Sequence, residues 1–251
     1  MKIRIKDIEF IIKKIFFSQS YLLKKRLIRA INKNYEKELE IIDKFRDKNK
    51  DAIDIGVYRG VYSYKLAQNY KLVHAFEPNP LLYPYLDRNL NKIIKNISLY
   101  NFALSNVSGE TKLKLPLRSQ SIFQDNIEEL YQLGASSIHP KNQLSKYKEV
   151  IVQMKKLDNF EISNNIGFIK IDVEGHELEV IDGAINTITK NMPVLLIEIE
   201  ERHTQKSVLD SISYIKNIGY DCFFVKNREL VSIDNLSDTK FENNYYFIPK
   251  N

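Results

Sequence analysis

The run from Asp51 to Gly60, Asp-Ala-Ile-Asp-Ile-Gly-Val-Tyr-Arg-Gly, constrains this chain more than any other stretch. Ala52, Ile53 and Ile55 read as a short buried strand with Asp54 near its end. Gly56 breaks the strand, and Gly60 opens a helix over Val61–Asn69. A strand, a glycine turn and a helix form the geometry that cradles an adenosine-type cofactor at a strand's carboxyl edge. Gly56 gives the turn backbone torsions that other residues resist. Val57, Tyr58, Tyr62 and Ser63, on the turn and the first helical turn, join Asp54, Gly56 and Gly60 as candidates to border that cofactor. The spacing Asp-x-Gly-x-x-x-Gly fits a dinucleotide pyrophosphate poorly, because the fingerprint for that group is Gly-x-Gly-x-x-Gly. On its own, such a turn also occurs in α/β proteins that hold no cofactor.

A second apolar run, Leu72 to Phe76, ends in Glu77 and Pro78, about twenty residues beyond the glycines. A carboxylate there is placed to accept hydrogen bonds from both hydroxyls of a ribose. Its plainer role is a solvated charge at a helix start. Pro78 and Pro80 stop the strand and start a helix over residues 80–94. A third strand, Ile97–Phe102, delivers Asn101 and Ala103 to the same edge, where the amide of Asn101 can read an adenine or simply close a turn.

From Asp51 onward the chain alternates strand and helix. Further strands are expected at 111–115, 150–157, 167–173 and 194–200, with helices from the Glu174–Glu177 block to about Thr189 and over 207–217. A closing pair of strands at 220–225 and 244–248 reads as a hairpin-like edge. The result is a doubly wound α/β sheet. Residues 117–146 break the rhythm with a polar excursion and a short helix over Gln124–Leu133; such a length reads as a lid or loop. Within or beside it, Ser119, Ser121, His139 and Tyr147 are polar candidates to meet a substrate.

With 251 residues, 43% hydrophobic and 28% charged, the chain suits one soluble α/β domain. A lone cysteine, Cys222, excludes an internal disulfide, and neither a secretory signal nor a membrane span is visible, so a reducing, cytoplasmic setting is expected. The net charge of +6 is unevenly placed. Residues 1–35 hold ten Lys/Arg against Asp7 and Glu9, a net of +8, which leaves −2 for the remainder. The body of the protein is therefore not a nucleic-acid binder. Residues 1–48 form a separate amphipathic helical segment before a domain spanning 49–251. Ile8, Ile11, Ile12 and Ile15 mark one helix, and Leu23, Leu27, Ile31, Tyr35, Leu39, Ile42 and Phe45 a second, long one. Their apolar faces pack on the domain or on a second copy of the chain, a homo-oligomer. The alternative is weak, salt-sensitive peripheral contact of residues 1–35 with an anionic inner membrane face.

Lys170 stands among apolar residues and needs a carboxylate partner, for which Asp54 and Glu198 on adjacent strands qualify. Asp172, Glu174 and His203 fall at the carboxyl ends of central strands and are the candidate catalytic residues, with Asp172 also a candidate to orient the cofactor. His203 has the ordinary pKa, about 6.5, that suits a base at neutral pH. His176, after a glycine at a helix start, reads as an exposed or capping residue. Asp172, Glu174 and Glu198 could gather a hard cation, but sequence gives no octahedral set and no metal is assigned.

The combined motifs resemble a known family. They are Asp54-x-Gly56-x-x-x-Gly60, Ala75-Phe76-Glu77-Pro78, Asn101-x-Ala103-Leu104, Lys170-Ile171-Asp172-Val173-Glu174-Gly175-x-Glu177 and Gly183-Ala184, with a terminal Tyr245-Tyr246-Phe247-Ile248-Pro249. This set is similar to that of the FkbM family of S-adenosylmethionine-dependent methyltransferases, over about residues 50–250. The resemblance implies a class I methyltransferase (Rossmann-like) fold with a seven-stranded sheet and its last strand antiparallel. It implies methyl transfer from S-adenosyl-L-methionine to a hydroxyl of a sugar, glycan or related small molecule. Gly56 to Gly60 would border the methionine part, Glu77 with Pro78 the ribose, and Asn101 and Ala103 the adenine. The family usually reads Asp-x-Gly-Ala-Asn-x-Gly, so Val57 and Tyr58 depart from it and remove a side-chain amide at position 58. Two other readings are weighed against this one: a binding module of the same fold without turnover, and a nicotinamide-dependent oxidoreductase, which lacks the glycine spacing it needs.

Overall fold

The computed structural model describes residues 17–33, 36–117, 136–139, 146–162, 165–201, 207–235 and 242–250. Its centre is β1, Asp51–Ile55, buried along its whole length. β1 pairs in parallel with β2, Val73–Phe76, on one side and with β7, Ile166–Ile171, on the other. β3, Ile97–Tyr100, extends the sheet beyond β2, and β8, Val194–Glu198, beyond β7. β11, Asn244–Pro249, lies antiparallel between β8 and β9, Tyr220–Lys226.

The alternation of strand residues divides the core into two layers. Ile53, Ile55, Ile169, Ile171, Leu195 and Ile197 face one cluster. It is completed by helices α5 (Glu177–Asp182), α6 (Ile185–Asn191) and α7 (Val208–Asn217). Ala52, Phe168, Leu196 and Tyr246 face the other. There they meet α1 (Gln19–Asn32), a short helix α2 (Glu38–Ile41), α3 (Val61–Asn69) and α4 (Tyr83–Ile93).

Three expectations need correction. Among the described residues the sheet has eight strands, not seven, in the order β10-β9-β11-β8-β7-β1-β2-β3. The addition is β10, Glu229–Ser232, which folds back on β9 through Asn227 and Arg228. Both residues have positive φ, 52° and 66°, the turn geometry that matches strand twist. The strands at 220–226 and 244–249 do pair, yet β11 is interior and β10 forms the edge. Finally, the long second helix is two pieces: α1 ends at Asn32 with Lys33 as its cap, and α2 is a separate helix, Glu38–Ile41.

Elsewhere the differences are local. α4 begins at Tyr83 rather than at residue 80, because Asn79 closes a turn first; its Oδ1 accepts from the Leu81 amide and its carbonyl from those of Leu82 and Tyr83. The helix expected to reach Thr189 is broken at Gly183-Ala184 into α5 and α6. A Cβ on Gly183 would sit 1.9 Å from the Ser105 carbonyl oxygen, so that close approach needs glycine. Beside the main sheet, β4 (Ala103–Leu104), β5 (Gly109–Pro116) and β6 (Tyr147–Lys155) make a small sheet in the order β4-β6-β5.

The described part of the N-terminal segment is built into the body. Leu23, Leu27, Leu39, Ile41 and Ile42 share the core of α3 and α4. The Tyr246 hydroxyl donates to the Glu38 carbonyl at 2.7 Å, and Lys65 pairs with Asp43 at 2.6 Å. The helix expected around Ile8 to Ile15 lies outside the described residues, as do Ser119, Ser121, the helix expected at 124–133 and His203.

Candidate functional site

The site forms where β1, β2 and β7 end side by side. At the end of β1, Gly56 turns with φ +84°, and its amide donates to the Phe76 carbonyl at 3.0 Å. A Cβ there would lie 1.9 Å from the Asp172 carbonyl oxygen. The glycine thus sets how closely the β1 turn and the β7 exit approach. Tyr58 follows with φ +49°, and Gly60, at +77°, precedes α3 and packs on Leu90.

Glu77 is buried at the end of β2. Its Oε2 accepts from the Tyr58 amide and its Oε1 from the Asn79 amide, both at 3.0 Å. Burial pushes its carboxyl up to about 7, against the opposing pull of those two amides and of Lys170. Asn101 gives its amide hydrogens to the Glu77 carbonyl (2.8 Å) and the Pro78 carbonyl (3.2 Å), fixing the backbone that carries Glu77.

The exit of β7 is the most densely bonded part. Lys170 is buried with its ammonium 3.0 Å from Asp172 Oδ2, 3.0 Å from the Gly56 carbonyl and 3.9 Å from Asp54 Oδ1. Burial opposes the charge, but Asp172 and Asp54 outweigh it and hold the lysine above its ordinary range. Of the partners expected for Lys170, Asp54 is near, but the shortest carboxylate contact is to Asp172, two residues on and just past the end of β7. Asp54 is fully buried and raised by burial, with Lys170 and the Ser63 hydroxyl acting against that rise.

Past Asp172 the chain passes through Glu174 (φ +56°) and Gly175 (φ +105°). Glu177 reaches back to accept from the amides of Val173 (3.2 Å) and Gly175 (2.9 Å). Its burial raises it to about 7. The Ser137 hydroxyl donates to the Glu174 carbonyl at 2.6 Å, so residues 136–139 cover this loop. Glu198 lies beside Asp172 and is driven up by burial and then by the charge of Asp172. Carboxylate oxygens of Asp172, Glu174 and Glu198 lie within 4.8 Å of one another. Lys170 supplies positive charge to the same group.

Two clefts open from this framework. The first is lined by Gly56, Tyr58, Glu77 and Pro78, by the apolar Phe102, Ala103 and Leu104, and by Asp172 and Glu174. The second, of about 610 Å³, lies between α1, α4 and the glycine turn and includes Val57, Tyr62 and Lys170. Gly56, Tyr58 and Asp172 line both, so the clefts meet there.

The sequence candidates therefore separate. Gly56, Tyr58, Glu77, Pro78, Ala103, Asp172 and Glu174 converge on the first cleft. Val57 and Tyr62 belong to the second; the Tyr62 ring lies under the Lys170 ammonium at 5.0 Å. Asp54, Ser63, Gly60 and Asn101 line neither and act through the framework. His139 and His176 are both buried, with ring centroids 6.2 Å apart. His176, expected to be exposed or capping, instead bonds Ser105 Oγ at 2.9 Å and makes no side-chain cap. Tyr147 is 42% exposed, with Lys114 over its ring. Sequence reasoning missed Glu177 as the clamp of the Asp172 loop and Glu198 as the partner of Asp172. The signal for Glu177 was present: an acid two residues after a glycine, at a helix start.

The sequence model of the methyltransferase FkbM domain matches residues 54–222. No curated protein matches the chain. Among solved structures, the methyltransferase FkbM of Methylobacillus flagellatus KT superposes with a TM-score of 0.51 at 17% identity, covering 80% of this chain and 44% of that one. The chain thus spans less than half of that protein's length. A TehB-like SAM-dependent methyltransferase of Corynebacterium glutamicum ATCC 13032 gives 0.44 at 12% identity, covering 92% and 98%. A Streptococcus mutans protein solved in complex with SAH gives 0.44 at 14%, covering 83% and 94%.

Proposed function

The chain belongs to the methyltransferase FkbM domain family, and from that premise we propose that it transfers a methyl group from S-adenosylmethionine to a hydroxyl of a sugar, glycan or related small molecule. The observation that carries this reading is the meeting of two clefts at Gly56, Tyr58 and Asp172. One cleft suits the cofactor and leaves the other for an acceptor.

The residues present fit the cofactor. Glu77 is a buried carboxylate whose two oxygens are aimed by backbone amides, with lone pairs left for ribose hydroxyls. Phe102, Ala103 and Leu104 offer an apolar wall for a planar base. When bound, the cofactor supplies a sulfonium methyl group open to in-line displacement by an acceptor oxygen.

The chain's own residues do the rest. An aliphatic hydroxyl ionises near pKa ~15.7, like water, so a carboxylate that takes its proton helps. Asp172 stands where the clefts meet and is the residue for that role. Lys170 holds it at 3.0 Å, and Glu198 shares its hydrogen-bonding environment. Glu174 lies beside it in the first cleft. Glu177 keeps the loop in its left-handed course, which fixes where Asp172 points. Positioning of this kind accounts for much of such a rate.

The test is a labelled-methyl screen over hydroxylated acceptors, with glycans and lipid-linked sugars among them. Label in an acceptor, removed by Asp172→Asn, supports the reading. Cofactor binding without transfer to any acceptor favours the binding module instead.

A further inference from the structure

The second cleft has a chemical character of its own. One wall is α1, which contributes the apolar Leu23 and Leu27 and the guanidinium groups of Arg26 and Arg29. Arg59, on the glycine turn and stacked 4.9 Å over the Tyr58 ring, lines the same cleft. The acids on its lining are Glu36 and Asp172. Asp172 is matched by Lys170. The charge of Glu36 acts on Tyr62 and Lys170, deep in the cleft. Arg29 and Arg59 have no carboxylate partner among the described residues, and both line the cleft.

We infer that this cleft binds an acceptor carrying a phosphate or diphosphate group, with that group held by Arg29 and Arg59 and the acceptor hydroxyl turned toward Asp172. The inference rests on the first cleft being the cofactor site. A guanidinium offers paired donors in a rigid fork that matches phosphate oxygens, and two such groups suit a doubly charged anion. Tyr85, Leu82 and Leu86 on the α4 side give an apolar and aromatic floor for the uncharged remainder. At about 610 Å³ the cleft has room for a substituted sugar as well as its phosphate. The phosphate could belong to a soluble sugar phosphate or to a lipid carrier, and the chemistry of recognition is shared.

Calorimetry on the full chain tests this, with inorganic pyrophosphate titrated into protein saturated with S-adenosylhomocysteine. Pyrophosphate should bind the wild type, and the double variant Arg29→Gln/Arg59→Gln should weaken it by about tenfold or more. Both side chains lie outside the core, so the variant should fold. The single variant Arg29→Gln should keep its affinity for S-adenosylhomocysteine within about twofold, and Arg29→Lys/Arg59→Lys should recover part of the pyrophosphate affinity. No pyrophosphate binding by a protein that binds S-adenosylhomocysteine overturns the inference and leaves the cofactor reading standing. A parallel loss of S-adenosylhomocysteine affinity in Arg29→Gln also overturns it, assigning that arginine to the cofactor's carboxylate. Failure of the wild type to bind S-adenosylhomocysteine removes both. Competition of pyrophosphate by a soluble nucleoside diphosphate sugar, set against competition by vesicles containing a polyprenyl phosphate, then identifies the source of the phosphate.

Discussion

Gly56→Ala probes the joint on which the whole site depends. Two costs act at that position. An L-residue at φ +84° pays about 1–2 kcal/mol for the left-handed backbone. The new Cβ also meets the Asp172 carbonyl oxygen at 1.9 Å, and that neighbour is backbone, which cannot rotate away as a side chain would. Relieving such overpacking costs about 1–3 kcal/mol more. A total near 3 kcal/mol lowers Tm by roughly 6–12 °C in a chain of this size. Because relief requires the Asp172 backbone to move, turnover should fall even where the variant remains folded. Gly109→Ala isolates the torsional cost, since Gly109 has φ +146° but nothing within 4 Å of the added carbon. Thermal unfolding and methyl transfer measured on both variants decide it. If Gly56→Ala is no less stable and no less active than Gly109→Ala, the close approach of β1 and β7 does not hold the site together.

Other outcomes follow from the same geometry. Asp172→Asn should reduce turnover about a hundredfold or more while cofactor affinity changes little, as single-turnover kinetics and calorimetry will show. Glu77, raised from 4.5 to about 7 by burial, favours its neutral form in the fold. Its contribution to stability is therefore present below about 4.5 and is lost as pH rises through about 7. Ribose binding needs the ionised form, so affinity for S-adenosylhomocysteine should fall as pH drops below about 7. Titrations across pH on wild type and Glu77→Gln should show that slope only in the wild type. Tyr58→Asn places at φ +49° a residue that tolerates the left-handed region, and should raise stability by up to about 1 kcal/mol in denaturant unfolding.

Much of this architecture was legible because the central strands are short, uniformly apolar and bounded by glycine or proline. β1 and α3 occupy the residues expected of them, 51–55 and 61–69, since Gly56 and Gly60 mark their limits. Glu77 was legible because it is an acid at the end of an apolar strand. What escaped depends on contacts between distant segments or on turns with weak signatures. Asn227-Arg228 lacks the glycine that usually signals a two-residue hairpin, so β10 was unseen. His176 is buried among distant neighbours, with Ser105, 71 residues away, bonded to its ring and His139 beside it. Lys170 was assigned partners across the sheet by strand adjacency, whereas its ammonium bends toward Asp172 at the strand's own exit. The second cleft could not be read at all, since it joins α1 to a turn some thirty residues later. Position 58 shows the reverse traffic. The family's usual asparagine there is explained by the positive φ, which sequence alone does not display.

The central claim is that the cleft at the ends of β1 and β2 holds the methyl donor through Glu77. The direct measurement is calorimetric titration of S-adenosylhomocysteine into the wild type and into Glu77→Ala, with folding of the variant checked by thermal unfolding. Hydrogen bonds to a charged group contribute about 1.5–3 kcal/mol, so the variant should bind roughly ten- to a hundredfold more weakly. No binding by the wild type, or equal binding by a folded Glu77→Ala, would contradict the account.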